Sequence, residues 1–163
     1  MFTTIPTVII EDECHPFDGF QLSSREVYSH IEEEIKIKNL PNSTCSRITL
    51  SEGGVLSHNR EYLRVARKDI AFDICVAPFG SHCFISYRLG EYEARWRQYL
   101  SRIPFLKLIV AKIPKQQTYF QADTEKMFRY AVKQTLISVI EKIKLEKGIR
   151  GPVEIFQPQV TNN

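Results

Sequence analysis

The chain has 163 residues, of which 43% are hydrophobic and 25% are charged, which is typical of one globular domain. Its formal net charge of +3 is too small to require a nucleic-acid partner by itself. No apolar run reaches the roughly 18–20 residues that a membrane span needs, which excludes a helical span in this sequence.

The N-terminal residues predict little regular structure. Residues 7–10 (TVII) have the pattern of a short strand, and the acidic stretch after them contains Pro16 and Gly19, which favour a turn. We therefore expect residues 1–20 to be partly irregular, and we expect the same of residues 157–163.

The segment SSREVYSHIEEEIKIK predicts the first helix. Its apolar residues Val27, Ile31 and Ile35 recur every four positions and form one stripe. Ser23 and Glu26 fit a capping box at its start. The Asn-Leu-Pro sequence that follows predicts its end.

Four runs with alternating apolar residues come next, and they predict an antiparallel meander. The runs are SRITLSE, REYLRVAR, IAFDICVA and CFISYRL. Between the last two runs, Pro78 and Gly80 provide the fixed φ and the tolerance of positive φ that a chain reversal needs. This stretch therefore predicts a hairpin.

The second half of the chain predicts mostly helix. Residues 92–103 contain apolar residues at helical spacing, and the apolar segment 105–113 fits either a short helix or a buried strand. A long helix is predicted from Asp123 or Thr124 to the Lys-Gly pair at 147–148. A short edge strand is predicted at 153–156.

Together these elements predict a single α+β domain over residues 1–163. An antiparallel sheet of about four to five strands would pack against the N-terminal helix and the long C-terminal helix as a two-layer sandwich.

The cysteines and the N-terminus indicate the compartment. The chain begins without a basic region followed by an apolar core, so no secretory signal is predicted. The four cysteines lack the spacing of a zinc site. We therefore expect free thiols and a cytoplasmic protein, either free or peripheral at the inner membrane surface. We expect no cofactor and no metal.

One segment departs from an ordinary globular pattern. Six basic residues and no acidic residue lie between Ala94 and Lys115, interleaved with aromatic and aliphatic residues. We call residues 96–113 the basic-apolar segment. Its candidate binding residues are Trp96, Tyr99, Arg102, Phe105, Lys107, Leu108 and Lys112.

Three interpretations of the basic-apolar segment remain open. In the first, it is an ordinary connection whose apolar residues enter the core. In the second, it lies at the interface of an anionic membrane. In the third, it is a contact surface for a protein partner or a homodimer. The leading hypothesis is a small non-catalytic binding module that uses this segment on a protein partner or an anionic membrane surface.

Two alternative functions depend on other residues. Arg60, Tyr62, Arg64 and Arg88 are predicted to project from one sheet face, where they would bind a nucleic acid or a phosphate ligand. The third hypothesis is a hydrolase-like enzyme built around His82, Cys83 and a distant partner residue. Adjacent residues of a strand point to opposite faces, so these two side chains are expected to diverge.

Overall fold

A computed structural model describes residues 8–18, 22–51, 59–92 and 118–148. Within these residues, the elements in chain order are β1 (Val8–Asp18), α1 (Ser24–Lys38), β2 (Ser43–Ser51), β3 (Asn59–Arg67), β4 (Ile70–Phe79), β5 (His82–Glu91) and α2 (Tyr119–Glu146). The described strands form one antiparallel sheet in the order β1-β5-β4-β3-β2. The predicted α+β sandwich is confirmed.

Both helices cover the same face of the sheet. On β4 the predicted apolar set of Ile70, Phe72, Ile74 and Val76 is buried there, because alternate residues of a strand share one face. The helices contribute apolar stripes to the same core: Val27, Tyr28, Ile31 and Ile35 from α1, and Phe128, Val132, Leu136, Val139, Ile140 and Ile143 from α2. Burial of these stripes is the main force that holds the layers together.

The hairpin between β4 and β5 has the predicted position. Phe79 pairs with His82, so only Gly80 and Ser81 lie in the loop. Gly80 has a φ of 63°, a conformation that glycine adopts without a steric penalty. The stretch that contains His82 and Cys83 is therefore a strand with a tight turn before it.

The expectation of an irregular acidic stretch after residue 10 was wrong for residues 11–18, which continue β1. Each of these residues pairs with β5, and the register shifts once, between Ile9 and Glu11, as in a β-bulge. Pro16 is tolerated because β1 lies at an edge of the described sheet, where one side of the strand needs no ladder hydrogen bonds.

The ends of α1 follow the prediction in position but not in every contact. Ser23 is the N-cap residue, yet its side chain makes no capping hydrogen bond, so the predicted capping box with Glu26 does not form. The exposed first-turn amides can bond to water instead. Asn39 ends the helix in the left-handed conformation, with a φ of 43°.

The start of α2 lies about one turn before the predicted Asp123 or Thr124. Thr118 is the N-cap, its hydroxyl accepts a bond from the Gln121 amide at 3.2 Å, and Gln121 Oε1 accepts one from the Thr118 amide at 3.1 Å. This reciprocal pair is a capping box. The predicted C-terminal end is confirmed, since Gly148 follows the helix with a φ of 70°.

Tyr28 connects α1 to the centre of the sheet. Its hydroxyl donates to the Glu61 carbonyl on β3 at 2.9 Å and accepts from the Val76 amide on β4 at 3.1 Å. The paired residues of β3 and β4 extend from Arg67 with Ile70 to Leu63 with Ile74. The hydroxyl therefore bridges the two strands just beyond their ladder.

Three predicted elements fall outside the described residues. They are the helix over 92–103, apart from Tyr92, the apolar segment 105–113 and the edge strand at 153–156.

Candidate binding surfaces

The predicted residues of the basic-apolar segment, namely Trp96, Tyr99, Arg102, Phe105, Lys107, Leu108 and Lys112, lie outside the described residues. The other predicted site residues are described, so their geometry can be compared with each alternative function.

The predicted arginine set does lie on one face of the sheet, the face opposite the helices. The register aligns Asp12 of β1, Arg88 of β5, Asp73 of β4 and Arg64 of β3 in one row across the strands. Acidic and basic side chains alternate along this row. On this face the positive charges of Arg64 and Arg88 are therefore paired with the carboxylates of Asp73 and Asp12, whereas the sequence predicted a basic surface.

Arg64 is the most constrained member of this set. Its guanidinium forms a bidentate ion pair with Asp73, with Nε–Oδ1 and Nη2–Oδ2 distances of 2.6 and 2.8 Å. Tyr92 donates to the same carboxylate at 2.7 Å, and its ring lies 4.6 Å from the Arg64 guanidinium carbon. Burial lowers the pKa of Arg64, but the bond to Asp73 raises it above its ordinary value. Arg64 is a charged, internally satisfied residue.

The other members of the set are more exposed. Arg88 Nε lies 3.4 Å from Asp12 Oδ2, and both side chains are about half exposed. Arg60 is exposed and lies with Tyr62 beside the buried Cys75. Burial raises the pKa of that thiol above its ordinary value. Arg60 and Arg88 are the exposed arginines of this face, and a phosphate ligand would compete with Asp12 for Arg88.

The residues of the hydrolase hypothesis do not converge. Cys83 is 1% exposed and packs in the core beneath the helices, whereas His82 is exposed. The alternation of β5 directs the two side chains to opposite faces of the sheet. A Cys-His pair needs direct hydrogen-bonding contact, which this geometry does not provide.

A groove of about 410 Å³ lies between the C-terminal half of α1 and β2. Ile35 and Leu40 contribute apolar surface to it, and Lys36 and Cys45 contribute polar groups. Burial raises the pKa of the Cys45 thiol to about 11. At neutral pH this thiol is protonated and therefore a poor nucleophile.

A polar cluster that the sequence analysis did not predict joins β1 to α2. Lys133 forms ion pairs with Glu11 and Glu13, Tyr87 donates to Glu11 at 3.3 Å, and His15 Nε2 lies 3.8 Å from Glu13. Burial, followed by the two carboxylates, raises the pKa of Tyr87 above its ordinary value. One lysine on α2 thus pairs with two carboxylates on β1, and these ion pairs link the edge strand to the helix.

The outward side of α2 is unusually apolar. Five large side chains on it, which we call the apolar stripe, are 67–94% exposed. They are Tyr119, Phe120, Met127, Tyr130 and Leu145. At 3.6 residues per turn these positions fall within an arc of about 100°, opposite the face that α2 buries in the core. Four of the five lie within the first twelve residues of the helix, and a cluster of exposed apolar side chains of this kind is typical of an interaction site.

Charged residues on the same side of α2 are sparse. Asp123 and Glu141 fall within the arc of the apolar stripe, and Lys126 lies beside it, all three exposed. Only the buried stripe of this helix was predicted from the sequence. The signal for the second stripe was present in the spacing of Phe120, Met127 and Tyr130.

All four cysteines lie in the described ranges and are free thiols. Within those same ranges no group of three or more His, Cys, Asp and Glu side chains is arranged to hold a metal ion. Neither of the two helices described combines the length and the apolar character that crossing a membrane requires.

Comparison with known proteins gave no match to a protein family, to a curated protein or to a solved structure.

Proposed function

We propose that this chain is a non-catalytic binding module whose ligand is another protein. Its contact surface would combine the apolar stripe of α2 with the basic-apolar segment 96–113, which precedes the helix in the sequence. The observation that carries the proposal is the exposure of the apolar stripe, 67–94% for its five members. Tyrosine, phenylalanine and methionine are enriched in protein interfaces.

On α2 the charges around the apolar stripe favour a protein over an anionic membrane, although the arginines and lysines of the basic-apolar segment would be attracted to either. Asp123 and Glu141 share the face of the stripe. Carboxylates are repelled by an anionic bilayer, which is instead attracted to faces rich in lysine and arginine. A protein interface accommodates acidic residues when the partner supplies a cation.

The sheet face is the weaker candidate surface because its charges are compensated. Arg64 is bound to Asp73 in a buried ion pair, and a phosphate would have to replace a carboxylate already held at 2.6 and 2.8 Å. Nucleic-acid binding therefore requires Arg60 and Arg88 to act largely alone.

The proposal is tested by photo-crosslinking in cells that express the chain. A benzophenone amino acid replaces Tyr130, which is exposed, and in a control chain it replaces Glu33, which is exposed on α1. We expect a discrete protein adduct from position 130, no such adduct from position 33, and loss of the adduct when Phe120→Asp is added.

Other outcomes identify the competing ligands. Lipid adducts at position 130, together with flotation of the purified chain on vesicles containing phosphatidylserine but not on phosphatidylcholine vesicles, would replace the protein partner with a membrane. Salt-sensitive retention of the purified chain on nucleic acid, weakened by Arg88→Ala, would instead favour the sheet face. Absence of any adduct at position 130 contradicts the proposal.

A further inference from the structure

The two edge strands of the described sheet differ in how well they resist pairing with a further strand. β1 contains Pro16, and its register with β5 shifts between Ile9 and Glu11. Proline and an irregular register are two features by which edge strands avoid unwanted pairing. β2 has neither of them, since its nine residues contain no proline and pair with β3 without a shift. Alternate residues of such a strand direct their amide and carbonyl groups outward, where another strand can bind them.

Arg47, the one charged residue of β2, does not oppose such pairing. Its Nε and Nη2 atoms each lie 3.0 Å from a carboxylate oxygen of Glu32 on α1, and Nη2 lies 3.1 Å from the Ser29 hydroxyl. These bonds hold the guanidinium against α1 and compensate its charge. The strand therefore lacks the uncompensated charge that often protects an edge.

The groove of about 410 Å³ between α1 and β2 lies along the first half of this strand. Ser43 and Cys45 line it from β2, and Ile35 and Leu40 provide its apolar surface. A strand added beside β2 would lie ~4.8 Å from it, with alternate side chains on the same face as Ser43 and Cys45. Those side chains would therefore enter the groove.

The charges that line the groove indicate the chemistry of its ligand. Among the described residues that line it, Glu32 and Lys36 are charged, and Glu32 is bound to Arg47. Lys36 is exposed, and it forms no ion pair with any residue that the structure describes. A ligand that carries a carboxylate would therefore complement the groove.

We propose that β2 is a second binding site of this chain, which takes an extended segment of a protein partner by strand addition. The segment places an apolar side chain against Ile35 and Leu40 and, at the next residue on the same face, a carboxylate beside Lys36. Main-chain hydrogen bonds to β2 provide affinity, and the alternating side chains provide specificity. This site shares no residue with the apolar stripe, so it goes beyond the proposed function and does not depend on it.

The size of the site sets the expected strength. The nine residues of β2 extend over ~30 Å, and a single added strand covers less than the roughly 800 Å² that each partner buries in a standard specific interface. Contacts of this size are typical of transient recognition. We therefore expect a weak, reversible complex.

The first test measures protection of a thiol in the groove by a synthetic peptide of sequence TLTETLTE. Leucine and glutamate alternate on one face of this peptide when it is extended, so it fits the site in either strand direction. A peptide of sequence LLEETTTT has the same composition without the alternation and serves as the control. Alkylation of Cys45 should slow as the first peptide is added, but not as the second is added. Cys14, which is exposed on β1, is the internal reference, and its alkylation should not change.

The second test reads strand addition directly, by hydrogen exchange of individual amides. Alternate amides between Ser43 and Ser51 should exchange more slowly in the presence of TLTETLTE, because the outward amides gain hydrogen-bond partners. The amides of β1 should exchange at an unchanged rate.

The carboxylate is tested by reversing the charge that it would bind. Lys36→Glu should weaken binding of TLTETLTE by about 5-fold, because an exposed ion pair is replaced by a repulsion. Lys126→Glu makes the same change of charge at an exposed position of α2 and should leave binding unchanged. Circular dichroism checks that both variants remain folded.

Three results would overturn the proposal. Unchanged alkylation of Cys45 and unchanged exchange of β2 at ~1 mM peptide would show that the edge accepts no such strand. Slow exchange of the outward β2 amides in the chain alone would show that the chain itself occupies the edge, and a dependence on chain concentration would identify a second copy as the occupant. Equal effects of Lys36→Glu and Lys126→Glu would remove the carboxylate from the site. Each of these results leaves the crosslinking test at position 130 unaffected.

Discussion

Tyr28 is 0% exposed, and its hydroxyl satisfies one carbonyl and one amide of two adjacent strands. These backbone groups lie just beyond the last paired residues of β3 and β4, so they depend on a side chain from α1 for their hydrogen bonds. An unpaired buried backbone group costs about as much as a lost hydrogen bond. The Tyr28 side chain therefore both packs α1 in the core and completes hydrogen bonds of the sheet.

The first prediction concerns this hydroxyl. Tyr28→Phe keeps the ring but leaves the Val76 amide and the Glu61 carbonyl without their partner, so the free energy of unfolding should fall by about 1–3 kcal/mol. Urea denaturation measures the difference. Tyr130→Phe serves as the matched control, because Tyr130 is 67% exposed and its loss of a hydroxyl should change stability little. Equal stability of Tyr28→Phe and the native chain would contradict the bridging role.

Glu11 gives the second prediction, which concerns pH. Burial raises the pKa of Glu11, but the hydrogen bonds and the charge of its neighbours, chiefly Lys133, lower it overall below 4.5. A carboxylate whose pKa is depressed by folding stabilises the fold above its unfolded pKa and loses that effect as the pH falls through its folded pKa. Glu11→Gln should therefore be less stable than the native chain at neutral pH.

The difference between Glu11→Gln and the native chain should shrink as the pH falls below 4.5. Urea denaturation at a series of pH values measures it. Glu33→Gln, on the exposed side of α1, provides the control. A difference that stays constant into strong acid would show that the Glu11 carboxylate does not contribute through its charge.

At the scale of elements, local pattern was sufficient where one face of a strand or helix is buried. The alternation in β3 and β5 and the buried stripe of α2 follow from the spacing of apolar residues, and the structure has them in those places, whereas β4 is buried on both faces from Ile70 to Val76. These patterns are informative because a shift of one residue would expose an entire apolar set.

Pattern failed where an element depends on its neighbours. Residues 11–18 contain acidic residues and Pro16, which disfavour a strand in isolation. They form one because β5 pairs with them, and Lys133 forms ion pairs with two of the carboxylates. The pairing of Arg64 with Asp73 likewise depends on the register between β3 and β4, which the sequence does not reveal. The sequence therefore predicted correctly that these arginines share one face of the sheet, but it did not predict that carboxylates on the same face pair with them.

The third prediction concerns the start of α2. Thr118→Ala removes the hydroxyl that accepts from the Gln121 amide, and loss of an N-cap of this kind costs about 0.5–2 kcal/mol. Thr124→Ala is the control, since Thr124 lies inside the helix, where alanine is favourable. Thermal denaturation followed by circular dichroism should show a lower midpoint for Thr118→Ala only. A lower midpoint for Thr124→Ala instead would indicate that the helix begins at the position predicted from the sequence.

At the scale of the whole molecule, α2 has two apolar sides with different roles. One side completes the core over β1, β4 and β5, where its residues contact Phe17, Phe72 and Tyr87, and the other carries the apolar stripe. A helix that serves only as a cover needs a single apolar stripe and a polar opposite side. The proposed binding function depends on this second stripe.

The measurement that tests this claim most directly is the yield of protein adduct from a photo-crosslinker at position 130, compared with the yield from position 33. We expect a discrete protein adduct at position 130, abolished by Phe120→Asp, and none at position 33. Equal yields at the two positions, or no protein adduct at position 130, would contradict it.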